Sequence, residues 1–127
     1  MEATLLGALG MIAVGEGRID EAKSLLKAST RSFGALGNRL DIATNLCRVG
    51  AALAASENET VALRLLSSAQ IELEEMGVKV PWVAISNDET IGVIRSRLDD
   101  AAFEDAWEQG RDLSLDDATA LALESLD

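Results

Sequence analysis

The sequence has no histidine, no tyrosine, a single cysteine and a single proline, and aromatic residues fill only 3% of its 127 positions. Each shortage excludes some chemistry. Without histidine there is no Ser-His-Asp triad, no imidazole acid or base and no imidazole metal ligand. The lone Cys47 rules out an intramolecular disulfide and every cysteine-rich zinc site. Basic residues are scarce too: 11 Lys and Arg face 22 Asp and Glu, for a formal charge of −11. The imbalance steepens along the chain. Residues 1–80 hold eight basic against ten acidic side chains, and residues 81–127 hold three against twelve. Such a surface repels phosphate backbones, and no basic stripe interleaved with aromatics offsets it, so direct binding to DNA or RNA is not expected. No apolar run approaches a membrane span, and the start MEATLLGALG lacks the basic flank of a signal peptide. The expectation is a cytoplasmic chain with no membrane partner.

Small apolar residues are plentiful instead. Apolar residues make up 48% and charged residues 26%, an ordinary balance for one globular domain. Richness in Ala, Leu and Gly with few aromatics suits close-packed helices better than a β-sandwich.

Internal repetition follows from sliding the sequence over itself by 40 residues. Ala3 then meets Ala43, Thr4 meets Thr44, Leu6 meets Leu46 and Gly10 meets Gly50. Ala22 meets Ala62, Leu25 and Leu26 meet Leu65 and Leu66, and Gly37 meets Gly77. The spacing inside each unit is helical. Leu5, Leu6, Leu9, Ile12 and Ala13 share one face, and Ala22, Leu25, Leu26, Ser29 and Phe33 share another. Gly15-Glu16-Gly17-Arg18 reverses the chain between them, and Gly37-Asn38 stops the unit. The second unit has its break at Ser56-Glu57-Asn58 and a helix over about Glu59–Met76. Each unit is a helical hairpin. Gly10 and Gly50 sit mid-helix, where glycine costs about 1 kcal/mol relative to alanine, which implies close helix approach at both.

Two hairpins are fewer than the roughly three repeats that bury a continuous core, so the rest of the chain is expected to cap the stack. Pro81 breaks helix continuity and marks a corner; a helix is expected over about 87–98, then another from Ala101 through Trp107, ended by Gly110. Ser114-Leu115-Asp116-Asp117 is a capping pattern opening a last helix through Leu126. Phe103 and both tryptophans fall here, which suggests a cap with a small core of its own. The expected architecture is all-α: two tetratricopeptide-like helical hairpins over 1–77, with a period of about 40 residues, and a C-terminal helical cap over 78–127.

The hairpins resemble the tetratricopeptide-like repeats of large bacterial multidomain regulators. The segment from Ala102 to Ala118, AFEDAWEQGRDLSLDDA, is similar to the AFxxAWxxGRxLSLxxA ending of actinobacterial LuxR-type transcriptional regulators and signal-transduction ATPases, some linked to adenylate cyclases. Leu65-Leu66-Ser67-Ser68-Ala69 and Gly77 match the last repeat of the same family. The resemblance implies a non-catalytic protein-interaction or sensor module whose partner is a protein or another domain of a parent regulator. The chain itself contains no GxxxxGK[ST] phosphate loop. Two other readings stand beside this one: a regulatory helical region of an adenylate cyclase or ATPase, and a free-standing adaptor that forms a homodimer.

Candidate sites follow from this architecture. Stacked hairpins offer a groove lined by their first helices, which points to Thr4, Ala8, Met11, Thr44, Asn45 and Arg48 for partner binding. Self-association is expected through Leu5, Leu9 and Ile12, because a short stack leaves apolar surface open. Lys23, Lys27 and Arg31 form a basic stripe that is either a solvated face or a seat for an acidic peptide or tail. Asp99, Asp100, Glu104, Asp105 and Glu108 read as a solvated carboxylate face rather than a metal or catalytic site. Gly15-x-Gly17 lacks the third glycine of a dinucleotide loop and follows no strand, so no cofactor is expected. Cys47 reads as a small core residue, Phe103 and Trp107 as a packed pair, and Trp82 as either an exposed anchor or a buried corner.

Overall fold

The computed structural model describes residues 2–127, which fold into seven helices and no strand. They are α1 (Ala3–Gly15), α2 (Ile19–Leu36), α3 (Arg39–Ala55), α4 (Glu59–Met76), α5 (Pro81–Arg95), α6 (Asp100–Arg111) and α7 (Leu115–Ser125). None of the described helices is long and apolar enough to cross a membrane. Helices α1 and α2 pack as one hairpin, α3 and α4 as a second, and α2 lies against α3.

The 40-residue register holds down to single backbone bonds. At the first turn Gly17 N–H donates to the Val14 carbonyl and Arg18 N–H to the Ala13 carbonyl; at the second, Glu57 donates to Ala54 and Asn58 to Leu53. Both turns place their third residue in the left-handed region, with φ of 77° at Gly17 and 64° at Glu57. Within the hairpins, large residues fill the space that glycine leaves. A Cβ on Gly10 would fall 2.8 Å from Leu26 Cγ, and one on Gly50 would fall 3.0 Å from Leu66 Cγ. The mid-helix glycines are therefore sockets for Leu26 and Leu66, both fully buried.

The same register runs on into α5. Ala3, Ala43 and Val83 are all buried, as are Gly10, Gly50 and Thr90. Helix α5 packs on α3, so it stands as a third first helix in the row α1, α3, α5. It begins at Pro81 and not near residue 87. The proline occupies the first helical turn, where its missing N–H has no partner to lose and its fixed φ suits a helix; it opens the helix as well as marking the corner.

Helices α6 and α7 leave α5 and fold back over the hairpins. Helix α6 lies along α4, and α7 fills the angle between α2, α3 and α4. Gly110 lies in the last turn of α6, one residue before the helix ends at Arg111. It lies within the helix at the crossing with α4, where a Cβ would fall 2.5 Å from the Arg64 carbonyl oxygen and 2.7 Å from Ser67 Cβ. Ser67 Oγ donates to the Trp107 carbonyl at 2.7 Å and Ser68 Oγ to that of Leu113 at 3.3 Å. The closing helices have no core of their own. Phe103, Ala106, Ala118, Ala122 and Leu126 belong to one continuous cluster with Leu46, Leu53, Leu65 and Leu66, because α4 supplies the apolar face that α6 and α7 lack among themselves.

Capping sets the helix ends. Asn38, Asp99 and Ser114 accept from the N–H of Asp41, Ala102 and Asp117, each cap contributing about 1 kcal/mol. Gly37 and Gly77, both left-handed, close α2 and α4.

Candidate functional site

The first helices α1, α3 and α5 meet at Arg48. Its side chain runs beside Gly7 of α1, where a Cβ would come within 3.1 Å of Nη1. Its guanidinium carbon lies 4.7 Å from the centre of the Trp82 ring at the start of α5, within the range of a cation–π contact. Gly7 and Trp82 thus fix Arg48 from opposite sides, and Gly7 is small because the arginine passes there. Arg48 is partly buried, and desolvation pulls its guanidinium below the ordinary arginine range. Its Nη1 is buried with no hydrogen-bond acceptor among the described residues. Trp82 remains 41% exposed, so it is an open aromatic face with a cation held against it.

Behind Arg48 lies Cys47, whose Sγ sits 3.5 Å from the Asn87 side-chain nitrogen. Burial pushes this thiol up to about 11, so it stays protonated and unreactive near neutral pH. Between α4 and α5 the chain leaves an open cleft of about 540 Å³. Leu73, Val78, Val83 and Ile91 line its apolar part, and Glu74, Lys79 and Asp88 its polar part. The cleft exists because α6 follows α4 rather than α5, leaving α5 without a hairpin partner.

The residues expected in a partner groove separate into two sets. Thr4 and Ala8 are exposed, and Met11 and Arg48 are half-buried on the same row of helices. Thr44 and Asn45 are removed from that surface. Asn45 is 1% exposed, donates through Nδ2 to Thr30 Oγ1 at 2.9 Å and accepts at Oδ1 from Ser29 Oγ at 3.0 Å. This polar knot joins α2 to α3, and burial there puts the amide out of a partner's reach. Thr44 is buried and bonds the Asp41 carbonyl at its own helix start. Leu5 and Ile12 are exposed and Leu9 is half-buried.

The basic stripe is divided. Lys27 pairs with Asp127 at the end of this same chain, while Arg31 is exposed. Among the carboxylates, Asp99 caps α6 and Asp105 accepts from Gln109; Asp100, Glu104 and Glu108 are exposed. No three such side chains gather into a metal-holding set among the described residues. Phe103 and Trp107 stack at 6.2 Å with an interplanar angle of 8°. Arg95 covers the Phe103 ring at 3.9 Å. The Arg48–Trp82 pair escaped sequence reasoning because 34 positions separate its members. The continuing 40-residue register into α5 was the signal that brings them together.

No protein family, curated protein or solved structure matches this chain in sequence or fold comparison.

Proposed function

We propose that this chain is a tetratricopeptide-like interaction or sensor module, non-catalytic, from a bacterial regulator of the LuxR-type or signal-transduction ATPase kind. One observation carries the reading most strongly: three first helices in one 40-residue register present a common face, with the Arg48–Trp82 pair held at its centre. Rows of helices of this kind serve as extended binding surfaces. The sequence AFEDAWEQGRDLSLDDA adds support, because most of its family-like positions, though not Ala102 or Arg111, seat α6 and α7. Phe103, Ala106, Gly110 and Ala118 are buried, the Trp107 and Leu113 carbonyls accept from α4, and Ser114 caps α7. Its intervening positions Glu104, Asp105, Glu108 and Asp112 face solvent.

A partner binding this face acts on the parent through different affinities for the parent's two states, since a ligand shifts an equilibrium only by that difference. The reading frame around the segment tests the family assignment. A phosphate-loop ATPase or a helix-turn-helix domain in the same frame supports it, and a frame holding neither refutes it. In that frame's product, Arg48→Ala and Trp82→Ala are expected to blunt the response to the partner while leaving helicity intact. Nucleotide turnover by the purified chain would overturn the non-catalytic reading.

A further inference from the structure

Where α3 lies along α2, Asn45 ties the two helices together through Ser29 and Thr30. The 40-residue register carries those three positions to Ile85 on α5 and to Ala69 and Gln70 on α4. The tie is not rebuilt there. Ala69 and Ile85 have no polar side-chain atom, Ile85 is 63% exposed, and Gln70 donates to Glu74 on its own helix at 3.0 Å. Helix α5 keeps its seat on α3 but stands off α4, and the cleft of about 540 Å³ is the gap that results. The gap is internal. Helices α4 and α5 are consecutive and the chain runs on past both, so the opening belongs to the packing and not to an end of the sequence.

Its walls specify an occupant. Leu73 and Val83 form buried apolar wall, and a volume of this size suits a small molecule of about ten to twenty non-hydrogen atoms. Among the lining side chains, acceptors outnumber donors. The Gln70 and Asn87 amide nitrogens are directed to Glu74 and Cys47, which leaves Lys79 as the open donor. Against it stand the carboxylates of Glu74 and Asp88 and the Oδ1 of Asn87, which is buried with no donor among the described residues. Asn87 is the least exposed polar residue of the lining, and a buried carbonyl oxygen costs free energy until something donates to it. Asp88 and Lys79 enter none of the ion pairs among the described residues, so both keep their charge open to a ligand. We infer that the cleft binds an organic cation, a primary amine carried on an apolar body, with the body against Leu73, Val83 and Ile91 and the ammonium drawn to Asp88 and Asn87. The field of the chain acts in the same direction, since residues 81–127 hold three basic side chains against twelve acidic ones and attract cations. The cleft shares no residue with the Arg48–Trp82 pair, so it adds a second site to the interaction reading above.

Three probes of one shape, tryptamine, tryptophol and indoleacetate, test this by titration calorimetry on the whole chain at neutral pH and low salt. Tryptamine is expected to bind about tenfold more tightly than tryptophol, and indoleacetate more weakly than either. Amide chemical shifts are expected to move at Leu73, Val78, Asp88 and Ile91 and to stay still along α1. Asp88→Asn is expected to cut the advantage of the amine over the alcohol about threefold, and Lys79→Gln to raise it by about the same factor. Both positions are exposed, and a folding defect cannot move the two variants in opposite directions. Ala84→Phe, on the exposed wall of α5, fills the cleft and is expected to abolish binding of all three probes. Equal binding of amine and alcohol overturns the inference, as does tighter binding of the carboxylate. So do shifts centred away from the cleft, or no saturable binding at millimolar concentration. A self-associated chain that tryptamine dissociates also overturns it, because a second copy is then the occupant.

Discussion

Leu5 and Asn45 hold the same position in two hairpins of one design, and so do Gly10 and Gly50, Gly17 and Glu57, and Gly7 and Cys47. Their surroundings differ. Helix α3 lies between α1, α2, α4, α5 and α7 and buries ten residues, while α1 packs mainly on α2 and α3 and buries four. The comparison separates what a hairpin needs for itself from what its neighbours demand of it. The glycine sockets and the turn bonds recur in both units, so they belong to the hairpin. The amide at position 45 and the thiol at position 47 occur only where a further layer covers the helix, so they belong to the stack.

The sharpest test of that division is the pair of socketed leucines. Leu26→Ala and Leu66→Ala each remove a fully buried side chain and leave a cavity beside a glycine that cannot fill it. Such truncations cost about 2–5 kcal/mol. Leu66 is expected near the upper end, since α4 is hemmed by α3, α6 and α7 and has least room to relax. Leu26 is expected lower, because the outer side of α1 is free to settle inward. Urea unfolding at low protein concentration, where self-association does not contribute, measures both. Equal costs would show that the hairpin alone sets the stability of its socket.

How much of this was legible before the structure depends on which force placed each residue. The hairpins, their boundaries and the mid-helix glycines follow from local periodicity and turn chemistry, which the chain carries within short windows. The start of α5 was misplaced because proline both stops a helix and starts one, and only the position of its neighbours decides which. Gly110 marks the end of α6 to within one residue, but its reason was hidden. It reads as a stop, yet the Arg64 backbone 46 residues earlier is what requires it to be small. Asn45 was expected on the groove because it lies on a first helix, and its partners Ser29 and Thr30, which draw it inward, lie on another helix. The path of α6 along α4 leaves still less trace, since an apolar helix face does not name its partner. Thr44, Asn45 and Arg48 are near neighbours on α3, yet only Arg48 reaches the row's open face beside Trp82.

A smaller effect tests the two turns. Glu57 adopts the left-handed conformation that Gly17 adopts freely, and for a residue with a Cβ that region costs about 1–2 kcal/mol. Glu57→Gly is expected to gain stability, by about 0.5–1 kcal/mol once the added freedom of the unfolded chain is subtracted. Gly17→Ala is expected to lose about 1 kcal/mol. Opposite signs at equivalent positions would show one turn geometry imposed on two different sequences. A loss at both would mean that the Glu57 side chain contributes something the turn alone does not explain.

The last effect is absent at neutral pH and appears only in alkali. Position 47 is a buried thiol where its counterpart Gly7 has no side chain at all. Burial raises the Cys47 thiol from 9.0 to about 11, while the Asn87 amide and the nearby Arg48 charge oppose that rise. The raised value means that the folded state favours the protonated thiol. The unfolded chain releases that proton near pH 9, and the folded chain holds it until about pH 11. Stability from this group is therefore complete below pH 9 and lost as the pH rises through the interval, by up to about 1.4 kcal/mol per pH unit. Cys47→Ala is expected to lower stability at pH 7 modestly, through the lost volume, and to flatten the decline between pH 9 and 11. Parallel curves for the two proteins across that range would place the thiol in contact with water, and the layer that α5 lays over α3 would then be looser than the Cys47–Asn87 contact implies.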